Sequence, residues 1–303
     1  MTIIKKAITI VFVLTFIAGR PVAANINVFA CEPEWGELAK ELGGNRVSVY
    51  SATTAFQDPH HIQARPSLIA RMRRADLLIC TGSGLEVGWL PVLIRQSGNN
   101  RVQVGKPGHF TATHYVTTLE KPVIVDRSQG DVHPGGNPHI QTDPRNILKV
   151  ATALHHRLIQ IDSAHKSDYN AHYQAFSKRW KSALARWKLA SAPLRGVKIV
   201  VHHKAWAYML DWLGIQSVAT LEPKPGVPPS AGHLSAILSQ LQHQPARMVI
   251  RAAYQEGHAD EWLSKRAHIP AIILPFTVGG SVEAKDLFSL YDDTIARLIR
   301  GMQ

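Results

Sequence analysis

The fold is decided by one long amphipathic stretch, SDYNAHYQAFSKRWKSALARWKLASA at residues 167–192. Its large apolar side chains recur every three or four residues, which places them on one face of an α-helix. They are Tyr169, Tyr173, Phe176, Trp180, Leu184 and Trp187. Because no glycine or proline interrupts it, the helix is predicted to run for about 26 residues, roughly 39 Å at 1.5 Å per residue, and to end before Pro193 and Gly196.

Strand-like and helix-like patterns alternate on both sides of this helix. Apolar β-rich runs before it predict four strands, which are Ile26–Cys31, Val47–Ser51, Leu77–Thr81 and Val102–Val104. Four more are predicted after it, which are Val197–Val201, Ser217–Leu221, Met248–Ala252 and Ala271–Phe276. Helices are predicted between the strands, among them Leu85–Gln96 and a helix that begins at the N-cap Asp143 and ends near Ile161.

This alternation predicts the fold class α/β, with two Rossmann-like lobes that have parallel sheets and are joined by one long connecting α-helix. The predicted boundaries are 25–165 for the N-terminal α/β lobe, 166–193 for the connecting helix and 194–303 for the C-terminal α/β lobe. One alternative stays open, in which the long helix is an ordinary crossover within a single larger sheet.

The N-terminus has the three-part layout of a secretory signal peptide. Two lysines precede an apolar run from Ala7 to Ala18, and small residues at 22–24 form a cleavage site before Asn25. The apolar run has 12 residues, fewer than the ~20 that a membrane-spanning helix needs. Residues 1–24 are therefore predicted to be a signal peptide, and the mature protein is predicted to be soluble and periplasmic.

The composition excludes several classes of protein. With 45% hydrophobic and 18% charged residues, the 303-residue chain has a globular composition, and two cysteines cannot build a disulfide-dense scaffold. Those two, Cys31 and Cys80, end predicted strands and could be a disulfide or two buried thiols. Loss of Lys5, Lys6 and Arg20 with the signal peptide lowers the net charge from +12 to +9. Because the basic residues are scattered, nucleic acid is not expected as a partner.

Three of the 16 histidines fall where an α/β protein binds ligands. His60 lies in the loop after the second predicted strand, and His203 lies at the carboxyl end of the first strand of the second lobe. His139 lies just before the helix capped by Asp143. Ligand sites of open α/β sheets form outside the carboxyl ends of the strands. Two lobes that face each other are therefore predicted to bring these three side chains to one cleft.

Three converging neutral imidazoles favour a borderline transition metal, with zinc first. A proline precedes two of them, Pro59 and Pro138, and restricts the backbone at each loop. A ligating imidazole directs its other N–H at an acceptor, and Asp58 is the candidate acceptor for His60. Because histidine binds metal only when neutral, affinity is predicted to fall below about pH 6.5.

Several motifs, in this order, resemble those of the periplasmic metal-binding proteins that serve ABC importers, the ZnuA/TroA-like cluster A-I family. They are Asp58-Pro59-His60 with Pro66-Ser67, Ala75-Asp76-Leu77, Gly84-Leu85-Glu86-Val87-Gly88-Trp89-Leu90, Asn137-Pro138-His139-Ile140 with Asp143-Pro144, and His203-Lys204-Ala205-Trp206-Ala207-Tyr208. The resemblance covers essentially the whole mature chain. It implies a zinc or manganese carrier whose two lobes barely close on binding and whose partners are a membrane permease and its ATPase. A monomer is expected.

The fourth metal ligand is the point at which the sequence departs from this family. The family commonly uses a carboxylate from the loop after the last strand of the second lobe, where Val278 stands in this chain. Asp286 is the predicted fourth ligand, although an acid before an apolar run is also typical of a helix N-cap. Glu283 or a water molecule are the other candidates. Three histidines with at most one carboxylate favour zinc over manganese.

The segment Gly105–Gln141 has little periodicity, and a loop of this length is usually functional or disordered. His133 in this segment could capture metal and pass it inward, or form a weak auxiliary site with His109 and His114. The alternative is a solvent-exposed loop histidine.

Two other functions compete with the carrier. An exported zinc-dependent hydrolase would also use three histidines, but the sequence has no His-Glu-x-x-His helix and no Gly-x-Ser-x-Gly elbow. A related binding protein for a siderophore or haem would not need three converging histidines. The sequence therefore predicts a binding protein and not an enzyme.

Overall fold

Two parallel four-stranded sheets form the framework of the protein, for which a computed structural model describes residues 25–123, 130 and 132–303. The predicted signal peptide at 1–24 lies outside the described residues. The first sheet, in the order β2-β1-β3-β4, contains β1 (Ile26–Ala30), β2 (Val47–Ser51), β3 (Leu77–Cys80) and β4 (His109–Thr111). The second, in the order β6-β5-β7-β8, contains β5 (Lys198–Val201), β6 (Gln216–Thr220), β7 (Val249–Ala252) and β8 (Ala271–Leu274). The predicted α/β class with two Rossmann-like lobes is confirmed.

Helices connect and cover the strands. They are α1 (Pro33–Gly43), α2 (Pro66–Arg74), α3 (Leu90–Ser97), α4 (Pro144–Ile161), α5 (Lys166–Ala190), α6 (Ala207–Leu213), α7 (Ala231–His243), α8 (His258–Ala267) and α9 (Leu287–Arg300). The predicted cap of α4 is present, since the Asp143 side chain accepts a hydrogen bond from the Arg145 amide. No described helix is both long and apolar enough to cross a membrane.

Both sheets reverse their strand order at a central strand, β1 in the first and β5 in the second. All pairings are parallel, with Ala30 opposite both Ser51 and Ile79, and Val201 opposite both Thr220 and Ile250. The carboxyl ends of neighbouring strands therefore lie along one edge of each sheet. Ligand sites form at such edges where the strand order reverses.

The long helix predicted from one apolar stripe is α5, which has 25 residues. Its buried side chains include Phe176, Trp180 and Trp187. The Trp180 indole donates to the Pro144 carbonyl oxygen at 2.8 Å, and its ring packs edge-on against Tyr291 of α9 at 5.6 Å between centroids. The connecting helix is thus held by α4 on one side and by the last helix on the other.

One apolar core joins elements from both ends of the chain. Residues of the first sheet, α1, α4 and α5 form a single buried cluster with Leu287, Leu290, Tyr291 and Ile295 of α9. The last helix therefore packs with the first sheet, although it follows the second in sequence. The domain boundaries predicted at 165/166 and 193/194 stay a prediction.

Two predicted elements of the first lobe are wrong in position. Residues 102–104 are not a strand, because residues 100–102 form a 3₁₀ turn and the fourth strand is β4. The third helix begins at Leu90 and not at Leu85. Pro91 lies in the first turn of this helix, and a helix that began at Leu85 would place this proline in its interior, where it would remove a hydrogen bond and clash with the preceding turn.

Cys31 and Cys80 are joined in a disulfide, with a Cα–Cα distance of 4.8 Å. Both residues are buried, and they lie at the carboxyl ends of the neighbouring strands β1 and β3. The disulfide therefore fixes the edge of the first sheet at which ligand-binding loops begin.

Candidate metal centre

Three histidines from separate loops meet at one point. His60 lies in the loop after β2, His203 follows β5, and His139 precedes α4. One ring nitrogen of each lies within 4.8 Å of the others. The ring centroids are 5.4, 5.7 and 5.9 Å apart. The structure thus brings the three predicted histidines together, and their binding of a metal stays a prediction.

Two carboxylates orient two of these rings. The Nδ1 atom of His60 lies 2.7 Å from Asp58 Oδ1, and Nδ1 of His203 lies 2.6 Å from Glu222 Oε2. A carboxylate at Nδ1 keeps the proton there and leaves the Nε2 lone pair free for a metal. Burial alone would raise the pKa of Asp58, but the hydrogen bond and charge of His60 lower that pKa below its usual value. Asp58 was expected in this role from its proximity in sequence, whereas Glu222, 19 residues from His203, gave no signal.

His139 is buried, and neither of its ring nitrogens has a hydrogen-bond partner among the described residues. Burial, and then the neighbouring His60 and His203, lower the pKa of His139 well below its usual value. The ring is therefore neutral. A buried polar nitrogen without a partner costs free energy, which a bound cation at one of the two nitrogens would offset.

His202 and His61, which are adjacent in sequence to the proposed ligands His203 and His60, make other contacts. The Nδ1 atom of His202 lies 2.8 Å from Asp260 Oδ2 in a buried contact, and its Nε2 atom lies 3.9 Å from Glu222 Oε1. The ring of His61 lies 6.1 Å from that of His60 between centroids. In each pair, the histidine that joins the group is the one that the sequence motif indicated.

A fourth imidazole, His133, lies beside the three-histidine group. Its Nε2 atom is 3.3 Å from Nε2 of His60, and its ring centroid is 5.2 Å from that of His60. Burial, followed by His60 and His203, lowers the pKa of His133 to about 4. The proposed companions of His133 in an auxiliary site are elsewhere: Nδ1 of His109 bonds to the Val102 carbonyl oxygen, and His114 is exposed.

Among the described residues Asp286 is not grouped with the three histidines, and its role as the fourth ligand stays a prediction. It is the N-cap of α9, where its carboxylate accepts from the Ser289 amide at 2.7 Å and Ser289 reciprocates in a capping box. The other candidate acid, Glu283, is exposed and pairs with Arg297 at 2.9 Å. Val278, which replaces the family acid, is buried in the core. The helix-capping interpretation of Asp286 is the one that the geometry supports.

Replacing Asp286 with alanine is therefore expected to lower the free energy of unfolding by about 1 kcal/mol, because the first turn of α9 loses its cap. Zinc affinity is expected to stay unchanged. Denaturant unfolding of the metal-free protein and a competition titration with a zinc chelator measure the two quantities. Asp286→Asn keeps a capping acceptor and is the matched control. A large loss of zinc affinity with little loss of stability would restore Asp286 as a ligand.

A cavity of about 550 Å³ opens onto the centre from the side of the second sheet. His60 and His203 line it together with their carboxylate partners Asp58 and Glu222, and Trp262 forms part of its apolar wall. Carboxylates lining an aqueous cleft attract cations. The cavity therefore exposes His60 and His203 to an opening that is lined by two carboxylates.

A second cluster of buried titratable groups lies at the carboxyl ends of β1 and β3. Glu86 accepts the Thr81 amide at 2.7 Å, Glu32 accepts the Thr81 hydroxyl at 3.0 Å, and Glu34 accepts the Thr277 hydroxyl at 2.5 Å. Burial raises the pKa of Glu34 and of Glu86 to about 7, and raises that of Glu32 well above its usual value. Since Thr277 follows β8, the Glu34 contact joins α1 to a loop of the second sheet.

The disulfide sulfurs lie near Glu86, and the three residues have ligand-type atoms within 4.8 Å of one another. Because Cys31 and Cys80 are bonded to each other, they offer no thiolate to a metal. The histidine group is therefore the metal centre that the described residues support.

Comparisons with known proteins agree with this geometry. A family model described as "Zinc-uptake complex component A periplasmic" matches residues 28–301. The high-affinity zinc uptake system protein ZnuA of Yersinia pestis is 23% identical over 204 residues, which are 60% of this chain and 61% of that protein. The manganese ABC transporter substrate-binding lipoprotein PsaA of Streptococcus pneumoniae is 22% identical over 264 residues, 84% of this chain and 81% of that protein.

The fold is also similar to that of a solved structure. A crystal structure of ZnuA superposes with a TM-score of 0.76 at 19% sequence identity, and the match covers 92% of this chain and all of that chain. At this level of identity, the likeness concerns the arrangement of the two sheets and the long helix.

Proposed function

Because the chain belongs to the family of periplasmic zinc-uptake components, the substrate-binding proteins of metal ABC transporters, we propose that it captures zinc in the periplasm and delivers it to an ABC permease. In this proposal His60, His139 and His203 hold the ion, and the permease works with its ATPase. Members of this family are solute-binding proteins and not enzymes. The ion is thus cargo.

The observation that carries the proposal is the state of His139. A buried imidazole with both nitrogens unpartnered among the described residues is rare in folded proteins, since buried polar groups are nearly always hydrogen-bonded. Its ring is neutral and lies 5.4 Å from that of His60 and 5.7 Å from that of His203. A metal ion bound by all three rings would give one of these nitrogens its partner.

Zinc is proposed over manganese because of the donor atoms. Relatives of this chain include both a zinc uptake protein and a manganese-binding lipoprotein. Manganese prefers oxygen donors, whereas imidazole nitrogen suits zinc. The carboxylates of Asp58 and Glu222 bond to the Nδ1 atoms of His60 and His203. In this proposal they orient the two rings and do not bind the ion themselves. Export is proposed from the signal-peptide layout of residues 1–24.

Titration of the metal-free mature protein tests the proposal. Zinc is expected to bind at one site with a Kd below about 1 μM, and manganese at least about 100-fold more weakly. Competition with a chromophoric chelator measures zinc affinity, and the displacement of bound zinc by manganese measures selectivity. Elemental analysis of protein isolated from its native periplasm is expected to find zinc.

Two results would contradict the proposal in different ways. Failure to bind any divalent transition metal would exclude the carrier function at this centre. Tighter binding of manganese than of zinc would keep a metal carrier but overturn the choice of metal.

A further inference from the structure

The fourth imidazole at the centre has no function in the ligand set proposed so far. We infer that His133 is the fourth protein ligand, so that the ion is held by four imidazoles in a tetrahedral centre that selects against manganese. This inference rests on the proposed function, since it names the ligand and the selectivity of the same site.

The distance between His133 and His60 fits a shared ion. In a tetrahedral zinc site with Zn–N bonds of about 2.0–2.1 Å, neighbouring ligand nitrogens lie about 3.3–3.4 Å apart. The Nε2 atoms of His60 and His133 are 3.3 Å apart. The ring centroid of His133 is 6.3 Å from that of His139, slightly beyond the 5.4 to 5.9 Å that separate the other three rings. Binding of one ion by all four rings would therefore bring His133 closer to His139 than it lies here.

The other side of each ring leaves the two Nε2 atoms facing each other. His60 has its Nδ1 atom against the Asp58 carboxylate at 2.7 Å, which directs its Nε2 atom at His133. The Nδ1 atom of His133 is on the side of Gly84, where a Cβ atom would lie 3.5 Å from it. A cation bound by both Nε2 atoms would take the place of their direct contact at 3.3 Å.

The backbone around His133 is fixed by close contacts with both halves of the chain. Gly136 has a φ of +92°, and a Cβ atom there would lie 2.7 Å from the Leu119 carbonyl oxygen. Gly130 lies against the loop after β6, where a Cβ atom would come within 2.2 Å of the Pro225 carbonyl oxygen. The Gly136 amide donates to the His133 carbonyl oxygen at 3.0 Å. These contacts hold His133 at the centre.

Four imidazoles make the centre an all-nitrogen site. Zinc accepts four such donors in a closed tetrahedron, whereas manganese prefers oxygen ligands and six-fold coordination. The absence of a carboxylate ligand also leaves the full charge of the ion on the centre, and Asp58 and Glu222 compensate for it through the rings of His60 and His203. Selectivity against manganese would thus come from the His133 imidazole, which takes the place of a carboxylate ligand.

X-ray absorption at the zinc edge of the zinc-loaded full mature chain tests this inference, because imidazole rings give a characteristic multiple-scattering signal. Four imidazoles are expected in the wild type, and three imidazoles with one oxygen donor in His133→Ala. The zinc affinity of His133→Ala is expected to be about 100-fold lower than that of the wild type, equivalent to about 2.7 kcal/mol. His133→Asp is expected to narrow the preference for zinc over manganese by at least about tenfold, since it introduces an oxygen donor.

His114→Ala is the matched control, because His114 lies in the same long segment and is exposed. It is expected to keep four imidazoles and the wild-type zinc affinity. Thermal unfolding of the metal-free variants checks that each is folded. A wild-type spectrum with three imidazoles and one oxygen, unchanged in His133→Ala, would overturn this inference while leaving the zinc carrier intact. A wild type that binds no zinc would overturn the proposed function itself.

Discussion

Replacement of His139 with alanine is expected to weaken zinc binding by at least about 1000-fold, equivalent to about 4 kcal/mol. The variant loses a buried, neutral donor, and the apolar surroundings of its ring, which include Phe276 at 5.3 Å between centroids, offer no substitute ligand. A competition titration measures the loss. Zinc is also expected to raise the melting temperature of the wild type and to leave that of the variant almost unchanged, because ligand that binds only the folded state stabilises it.

His155→Ala is the matched control for this experiment. His155 is also buried, but its Nε2 atom bonds to Asn170 at 2.8 Å in the contact between α4 and α5. Its replacement is expected to lower stability without changing zinc affinity. Zinc binding of wild-type strength in His139→Ala would remove His139 from the ligand set and with it the main support for the proposed centre.

The second large effect is expected from Glu34→Gln, and it appears in the pH dependence of stability. Burial raises the pKa of Glu34 to about 7 in the folded protein, with the charge of Glu86 adding to the effect. The unfolded chain has an ordinary carboxyl pKa near 4.3, so the folded state binds more protons between these values. The stability from this group is full below about pH 4.3 and is lost as pH rises through about 7.

The wild type is therefore expected to lose stability from pH 5 to pH 8, by up to about 3 kcal/mol through Glu34 alone. Glu34→Gln keeps an acceptor for Thr277, removes the titration, and is expected to be more stable than the wild type at pH 8. Denaturant unfolding of the metal-free proteins at several pH values measures how the free energy of unfolding changes with pH in the wild type and in Glu34→Gln. Glu37→Gln is the control, since Glu37 lies on the same helix and pairs with Lys40 at the surface. If the free energy of unfolding changed equally with pH in the wild type and in Glu34→Gln, Glu34 would not titrate in this range.

The elements that the sequence predicts well are those with a long or strong periodic signal. The connecting helix differs from its prediction by two residues or fewer at each end, because an uninterrupted apolar stripe leaves few alternatives. The strand β4 could not be found in this way. Its three residues, His109 to Thr111, are no more strand-like than Val102–Val104, and pairing with β3 decides between them.

The centre was predictable to the extent that it follows from strand ends. His60 and His203 follow strands of different sheets, and the rule for carboxyl ends places both at a cleft. The sequence did not decide the role of Asp286, because an acid before an apolar helix has the same pattern whether it caps the helix or binds a metal. His133 could not be placed, because its position depends on contacts of Gly130 and Gly136 with distant backbone. The buried acids around Glu34 gave no signal, since nothing in the local sequence distinguishes them from surface carboxylates.

The packing of α9 against α5 and the first sheet has a consequence for how cargo leaves. Moving the sheets widely apart would expose Trp180, Trp187 and Tyr291, all buried in that shared core. Exposing three aromatic side chains to water costs on the order of 10 kcal/mol, comparable to the whole stability of a typical domain. We therefore expect release of a bound ion to depend on displacement of the loops that carry the histidines. In the proposed import system, contact of the permease with these loops would have to supply that displacement.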